Sequence, residues 1–153
     1  GRIDGDFRQS LEDSGMSFRR EADVLALAGS LGLFTLAYVF NPEEGKMMAD
    51  AGIDAVVAHM RSTTGGAVGS KRPITLEEAG RRCKEIFNAA LAIKPEILCL
   101  AHGGPIEGPE DTEYIYRNTQ AVGFVGASSI ERIPTEEAIQ KRTEQFKAKK
   151  TFR

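Results

Sequence analysis

The sequence predicts an α/β fold with parallel strands, and three observations support this fold class. Four apolar, strand-like runs recur along the chain, and segments with the apolar spacing of helices separate them. Each run stops at a cluster of small or reactive residues. Because the carboxyl ends of parallel strands share one edge of the sheet, we expect these clusters to converge on a single rim. The clusters occupy residues 38–41, 58–60, 101–104 and 126–129.

The composition indicates one domain without an evident nucleic-acid or membrane partner. A chain of 153 residues with 41% hydrophobic content can bury a real core. Its 20 basic and 22 acidic side chains nearly balance, and no basic stripe stands out. The longest apolar stretch, 31–40, is too short to cross a bilayer, and no signal peptide is recognised. Cys83 and Cys99 have no metal-site or redox spacing, so we expect buried free thiols and a cytoplasmic protein.

The helices are predicted from their capping residues and the strands from their apolar runs. Residues 1–16 are rich in Gly, Asp and Ser and are predicted as an opening loop. Residues 33–40 are almost continuously apolar, which is typical of a strand buried on both faces. The long connection 61–73 is expected to be functional, and the tail 147–153 is expected to fray. The other predicted strands are 53–59, 97–101 and 122–127, and the predicted helices follow Ser17, Asn41, Thr75, Pro109 and Pro134.

Two architectures fit this order of elements within a single domain, residues 1–153. One is a small open sheet with helices on both faces, and the other is half of an eight-stranded barrel. A half-barrel has two unpaired strand edges and an apolar inner face. On its own it is therefore expected to aggregate, to dimerise or to close with another chain.

Both histidines of the chain lie where predicted strands end. His102 precedes Gly103 and Gly104, whose lack of side chains would let backbone N–H groups approach a ligand. An imidazole there suits general acid or base catalysis or metal ligation, and the alternative is a histidine that only shapes the rim. His59 ends the preceding strand and should lie beside His102. Neither a suitably spaced carboxylate nor a thiolate accompanies them, so an acid/base pair is favoured over a metal site.

Two loops carry groups that suit the binding of an anion. In the connection 61–73, hydroxyl groups and backbone N–H donors could hold a carboxylate or a phosphate. The alternative is that this loop is a surface lid that does not contact the ligand. In the loop after the last strand, Glu131 suits an acid/base role and Arg132 an anion clamp, or the two could form an ion pair. No G-x-S-x-G elbow surrounds the serines, which disfavours a hydrolase triad. The candidate anion-binding residues are Thr63, Thr64, Gly65, Gly66, Gly103, Gly104, Ser128, Ser129 and Arg132.

Several short sequence motifs together resemble those of one family. They resemble the phosphoenolpyruvate hydrolase-like, or phosphonopyruvate hydrolase-like, TIM-barrel proteins, which also form the C-terminal domain of plant tobamovirus-resistance proteins. The chain departs from the familiar pattern His-Met-Gly-Leu-Thr-Thr at Arg61 and Ser62. The motifs lie at residues 3–5, 11–16, 38–44, 57–60, 63–66, 102–106 and 126–134.

The resemblance implies that this chain is the C-terminal half of an eight-stranded barrel. It implies a hydrolase or lyase that acts on a small oxo-acid or a phosphonate- or phosphate-bearing acid. His102, Glu131 and His59 are the candidate catalytic groups, because they are expected to converge on one rim. Magnesium, if used, is expected to bind acidic residues of earlier strands, so this chain supplies no assignable ligands. The alternative is a non-catalytic half-barrel that binds a partner. The expected partners are a small anionic organic acid and either a second copy or a complementing N-terminal half.

Overall fold

The computed structural model describes residues 5–63 and 74–149. Within these ranges, no helix combines the length and apolarity needed to cross a bilayer. Strands and helices alternate in the predicted order. The strands are β1 (Leu36–Val39), β2 (Ala55–His59), β3 (Leu98–His102) and β4 (Gly123–Phe124). The helices are α1 (Gly5–Asp13), α2 (Phe18–Ser30), α3 (Pro42–Asp50), α4 (Leu76–Leu91), α5 (Pro109–Asn118), α6 (Ser128–Glu131) and α7 (Ile133–Lys147).

The strands form one parallel sheet in the order β1-β2-β3-β4, which confirms the predicted fold class. Parallel pairing of consecutive strands puts all four carboxyl ends on one edge. His59 is the direct register partner of His102. The two predicted acid/base residues are therefore neighbours at the rim.

Three predicted helix caps are confirmed. Each cap side chain accepts a hydrogen bond from the backbone N–H three residues later, which satisfies a donor that the helix leaves unpaired. The N···O distances are 3.2 Å at Ser17, 2.9 Å at Asn41 and 3.2 Å at Thr75. Asn41 is thus the N-cap of α3, as the sequence predicts.

The hydrophobic core lies between the sheet and its helices. Alternate strand residues, among them Val39, Val56 and Cys99, point toward α3 and α4, where Met48 and Phe87 are buried. Cys83 and Cys99 are buried free thiols, as predicted. Burial raises the pKa of Cys83 to about 12 and that of Cys99 to about 11, so both are thiols at neutral pH.

The opposite face of the sheet is incompletely covered. Ala55 and Val57 at its centre are buried, but Leu36 and Tyr38 on β1 are each 38% exposed and Leu98 is 43% exposed. The prediction that the first strand is buried on both faces is therefore wrong, because β1 alternates between buried and exposed residues. An apolar face left open in this way is that of a half-barrel and not of a two-sided open sheet.

Two predicted loops contain helix. The predicted opening loop, 1–16, holds α1, whose side chains pair at i,i+4 spacing: Arg8 with Glu12 and Gln9 with Asp13. Tertiary contacts also hold α1, because Arg8 pairs with Glu44 and lies over the ring of Phe18. The predicted polar loop after the last strand begins with α6. Of the tail expected to fray, residues 150–153 lie outside the described residues.

Candidate active site

The two histidines form the centre of the candidate site. Their ring centroids are 4.7 Å apart and the rings meet edge to face at 72°. His102 is buried with 9% exposure, and His59 is half-buried. The two imidazoles are adjacent at the carboxyl rim, as the sequence predicts, and at this distance they can act on one small ligand.

Two aromatic rings from the end of β1 complete the cluster. The centroid of Tyr38 lies 5.0 Å from that of His59 and 5.1 Å from that of His102, and the centroid of Phe40 lies 4.8 Å from that of His59. Sequence reasoning placed both rings near a strand end but did not assign them to the site. The place of Tyr38 in the site follows from strand register, because Tyr38 pairs with Val57, which lies two residues before His59 and on the same face of the sheet.

The carbonyl of Val125 orients the His102 ring. The Nδ1 atom of His102 lies 2.6 Å from the Val125 oxygen. A carbonyl oxygen only accepts hydrogen bonds, so Nδ1 carries the hydrogen and donates it. In the neutral imidazole, Nε2 then holds the lone pair and is the atom that can act as a base.

The opposite arrangement holds at His59. Its Nδ1 atom accepts a hydrogen bond from the backbone N–H of Arg61 at 3.0 Å, so in the neutral ring Nε2 carries the hydrogen. Burial, and to a lesser extent the neighbouring His102, lowers the pKa of His59 to about 4. His59 is therefore neutral near pH 7.

The two βα loops of the site cross closely at glycine positions. Gly103 and Gly104 have positive φ angles of 74° and 60°, which glycine adopts without steric cost. The Gly104 N–H donates to the Arg61 carbonyl at 3.0 Å, and the Met60 N–H donates to the His102 carbonyl at 2.8 Å. Arg61 itself has a φ of 70°, at the position where the family pattern has glycine. The glycine pair thus fixes the loop that orients His59.

The structure places the other predicted site residues less centrally. Thr64, Gly65 and Gly66 lie outside the described residues, and Thr63 is half-buried just before them. Glu131 is exposed at the end of α6, and its carboxylate has no hydrogen-bond or ion-pair partner within the described ranges.

The residues around Glu131 make local contacts. Arg132 pairs with Glu136, at 3.1 and 3.2 Å to its two oxygens. Ser128 and Ser129 form the first turn of α6, and Ser129 lines a cleft of about 560 Å³ with Thr112 of α5. Of the predicted site residues that the structure describes, it brings His59, His102, Gly103 and Gly104 together.

The donor set does not fit magnesium. Mg²⁺ prefers oxygen ligands in octahedral geometry, whereas the cluster presents two imidazoles beside aromatic rings. Residues 5–63 and 74–149 contain no group of three His, Cys, Asp or Glu side chains that could hold a metal ion. No step is therefore assigned to a metal bound by these residues.

Comparison with known proteins identifies the family. The profile described as phosphoenolpyruvate hydrolase-like matches residues 1–149. The chain belongs to the phosphoenolpyruvate hydrolase-like family. The resemblance carried by the sequence motifs is thereby confirmed.

Two tomato relatives of this phosphoenolpyruvate hydrolase-like chain share much of its sequence. The ToMV susceptible protein tm-1(GCR26) and the ToMV resistance protein Tm-1(GCR237), both from Solanum lycopersicum, are each 44% identical to it over 149 residues. The match covers 97% of this chain but 20% of each relative. The chain thus spans about a fifth of the length of these curated relatives.

A solved structure with the same fold is the N-acetylmannosamine-6-phosphate 2-epimerase from Clostridium perfringens. It superposes with a TM-score of 0.50 at 18% identity, over 82% of the phosphoenolpyruvate hydrolase-like chain and 48% of the epimerase chain. At that identity the likeness shows the fold alone. It is consistent with four strands that form part of a larger barrel.

Proposed function

We propose that this chain supplies one half of the active-site rim of a barrel enzyme, a hydrolase or lyase that acts on a small oxo-acid or a phosphonate- or phosphate-bearing acid. The observation that carries the proposal is the direct register pairing of His59 with His102 at the carboxyl ends of β2 and β3. Membership of the phosphoenolpyruvate hydrolase-like family supports the class of substrate.

The chemistry assigned to His102 is that of a general base. Its Nδ1 is engaged by the Val125 carbonyl, which leaves the Nε2 lone pair to take a proton from a bound acid or from an attacking water. Glu131, which lies in α6 after β4, is a candidate second acid/base group. The anion itself would be held by Arg132 and by the loop residues Thr63, Thr64, Gly65, Gly66, Gly103, Gly104, Ser128 and Ser129.

The test is turnover of phosphoenolpyruvate and phosphonopyruvate by the longest natural chain that contains this sequence, with pyruvate and phosphate release as readouts. We expect His102→Gln to lower kcat/KM by about 100-fold or more, because a positioned base contributes at least that much. The matched control is Arg117→Gln, which removes an exposed ion pair with Glu113 on α5. Unchanged turnover in His102→Gln, or no turnover of either acid by the wild type, would contradict the proposal.

A second candidate function is binding without catalysis, in which two copies of the half-barrel close on each other. Its support is the open apolar face, where Leu36, Tyr38 and Leu98 remain about 40% exposed. Strands β1 and β4 also each pair with a single neighbour in the described sheet. Because unpaired edges and apolar faces favour association, one copy can offer the surface that the other lacks.

Sedimentation of the 153-residue chain at micromolar concentration tests this second function. We expect a dimer, and we expect Leu98→Arg to shift it to monomer because an arginine cannot be buried without a partner. Ile93→Arg is the matched control, since Ile93 is 50% exposed just after α4. A wild-type chain that sediments as a stable monomer would rule out self-association.

A further inference from the structure

The two imidazoles of the site are held in opposite tautomers by two different backbone groups. The Val125 carbonyl takes the Nδ1 hydrogen of His102, and the Arg61 N–H occupies the Nδ1 lone pair of His59. Backbone groups fix these assignments, so they do not depend on a titratable neighbour. Each ring is left with Nε2 as the atom that can contact a ligand.

Both Nε2 atoms are available for that contact. Neither has a hydrogen-bond partner in the part of the chain that the structure describes. Both atoms are also accessible to solvent, because neither is a buried side-chain atom without a hydrogen-bond partner. In the same part of the chain, Gln120 Oε1 is such an atom. A small molecule bound at the rim beside the two rings can therefore reach both atoms.

We propose that His59 is a neutral hydrogen-bond donor that presents Nε2–H to an oxygen of the bound acid, while His102 presents the Nε2 lone pair to an adjacent proton. This assignment rests on the proposed function for the existence of a substrate. It extends that function by dividing the roles: His59 stabilises developing negative charge on oxygen, and His102 moves the proton.

The chemistry explains why one histidine must stay neutral. If both imidazoles carried a proton on each nitrogen, two positive rings would lie 4.7 Å apart between their centroids, and neither would be a base. A neutral donor still polarises a carbonyl or carboxylate oxygen, and it does so without surrendering a proton to the product. The complementary pair therefore fits a ligand with an acceptor oxygen next to an acidic proton or a water, as in a 2-oxo acid.

The Arg61 backbone is the positioning group for this arrangement. Arg61 has a left-handed φ of 70°. Its backbone N–H donates a hydrogen bond to Nδ1 of His59, and its carbonyl accepts one from the Gly104 N–H. The side chain at position 61 takes no part in the contact with Nδ1. The exchange of the family's glycine for arginine therefore leaves this hydrogen bond in place.

Long-range ¹H–¹⁵N spectra of the ¹⁵N-histidine-labelled chain test the proposal directly, because the sequence contains two histidines. Pyrrole-type and pyridine-type nitrogens have distinct shifts, and through-bond correlation to the backbone assigns each ring without a variant. We expect protonated Nε2 at His59 and protonated Nδ1 at His102 at pH 7. The same tautomer in both rings, or protonated Nδ1 at His59, would overturn the assignment.

A pH titration of the same spectra gives a second, independent readout. Burial lowers the pKa of His59 to about 4, so its signals should stay those of a neutral ring down to roughly that pH. The folded state then binds fewer protons than the unfolded state between about pH 4 and 6.5, so stability should fall as pH falls through that window. The loss should be smaller in His59→Gln. A His59 ring that gains its proton near pH 6.5 would contradict the neutral-donor role.

Adding pyruvate, the simplest 2-oxo acid, separates this inference from the proposed function. We expect the His59 Nε2–H proton to shift downfield on saturation, and the shift to be absent when acetamide is added at the same concentration. Opposite tautomers with no response to pyruvate, phosphoenolpyruvate or phosphonopyruvate would sustain the tautomer assignment and contradict binding of the oxo-acid by this half of the rim. Tautomers other than those expected, with a clear response to one of these acids, would contradict the tautomer assignment and support binding of the acid.

Discussion

Gly103→Ala is expected to destabilise the fold by about 3 kcal/mol, because it combines left-handed backbone strain with overpacking. Gly103 has a φ of +74°, and an added Cβ would lie 2.3 Å from the carbonyl oxygen of Arg61. That oxygen belongs to the backbone and cannot rotate away as a side chain would. The Gly104 N–H also donates a hydrogen bond to it at 3.0 Å, which limits its movement. The loop that orients His59 would have to move.

Urea unfolding of the variant checks this result, with Gly52→Ala as the matched control. Gly52 has a φ of +81°, but a Cβ there would meet no atom within 4 Å. The control therefore isolates the left-handed strain, which costs about 1 kcal/mol. Equal losses in the two variants would show that the close approach of the two loops is absent. A change in the His59 tautomer in Gly103→Ala alone would support the link between the crossing and the site.

Glu44→Ala is expected to cost about 2 to 3 kcal/mol, because it leaves a backbone donor and an arginine without their buried acceptor. One Glu44 oxygen accepts the Phe40 N–H at 2.8 Å, and the other lies 3.3 Å from Arg8 Nη1. The Glu44 side chain is 8% exposed in this pair. The carboxylate thus joins the end of β1 to α1.

Thermal unfolding of Glu44→Ala can be compared with that of Glu43→Ala, which removes an exposed carboxylate from the same helix turn. We expect a much smaller loss in the control. Losses of the same size would mean that the helix dipole, and not the buried contacts, accounts for the effect. Loss of α1 helicity should accompany Glu44→Ala and not Glu43→Ala.

The pH dependence of Glu44 provides a signed check. Burial is the main cause that raises the pKa of Glu44 above its usual value, against the lowering effects of Phe40 N–H and Arg8. The folded state therefore holds this proton more tightly than the unfolded state. The stability that this adds is present below the ordinary carboxyl pKa and is lost as pH rises through the raised value. Relative to Glu44→Gln, the wild type should become less stable over that range.

The rim was predictable from sequence because parallel β-α units repeat a simple rule. Apolar runs ended at His59 and His102, and consecutive strands of this kind lie side by side, so their pairing followed. The caps at Ser17, Asn41 and Thr75 were predictable for a local reason, since each involves residues three apart.

What depends on distant contacts was not predictable in the same way. Helix α1 is held by Arg8 against Glu44, a partner 36 positions along the chain that no local pattern reveals. The prediction that the first strand is buried on both faces was wrong because apolarity alone does not show which face has a partner. The aromatic wall of Tyr38 and Phe40 around His59 depends on strand register, which forms on folding.

By itself the sequence determined the α/β class and the two histidines at the strand ends, because apolar periodicity and short capping motifs are local properties of the chain. Its resemblance to known proteins, carried by several short motifs, determined the family. Only the tertiary structure decided which imidazole nitrogen carries the hydrogen. The groups responsible are the Arg61 N–H and the Val125 carbonyl, and a backbone group has no sequence signature. The crossing of two loops at Gly103 and Gly104 places the Arg61 N–H, and the pairing of β4 with β3 places the Val125 carbonyl, and both contacts form only in the folded chain.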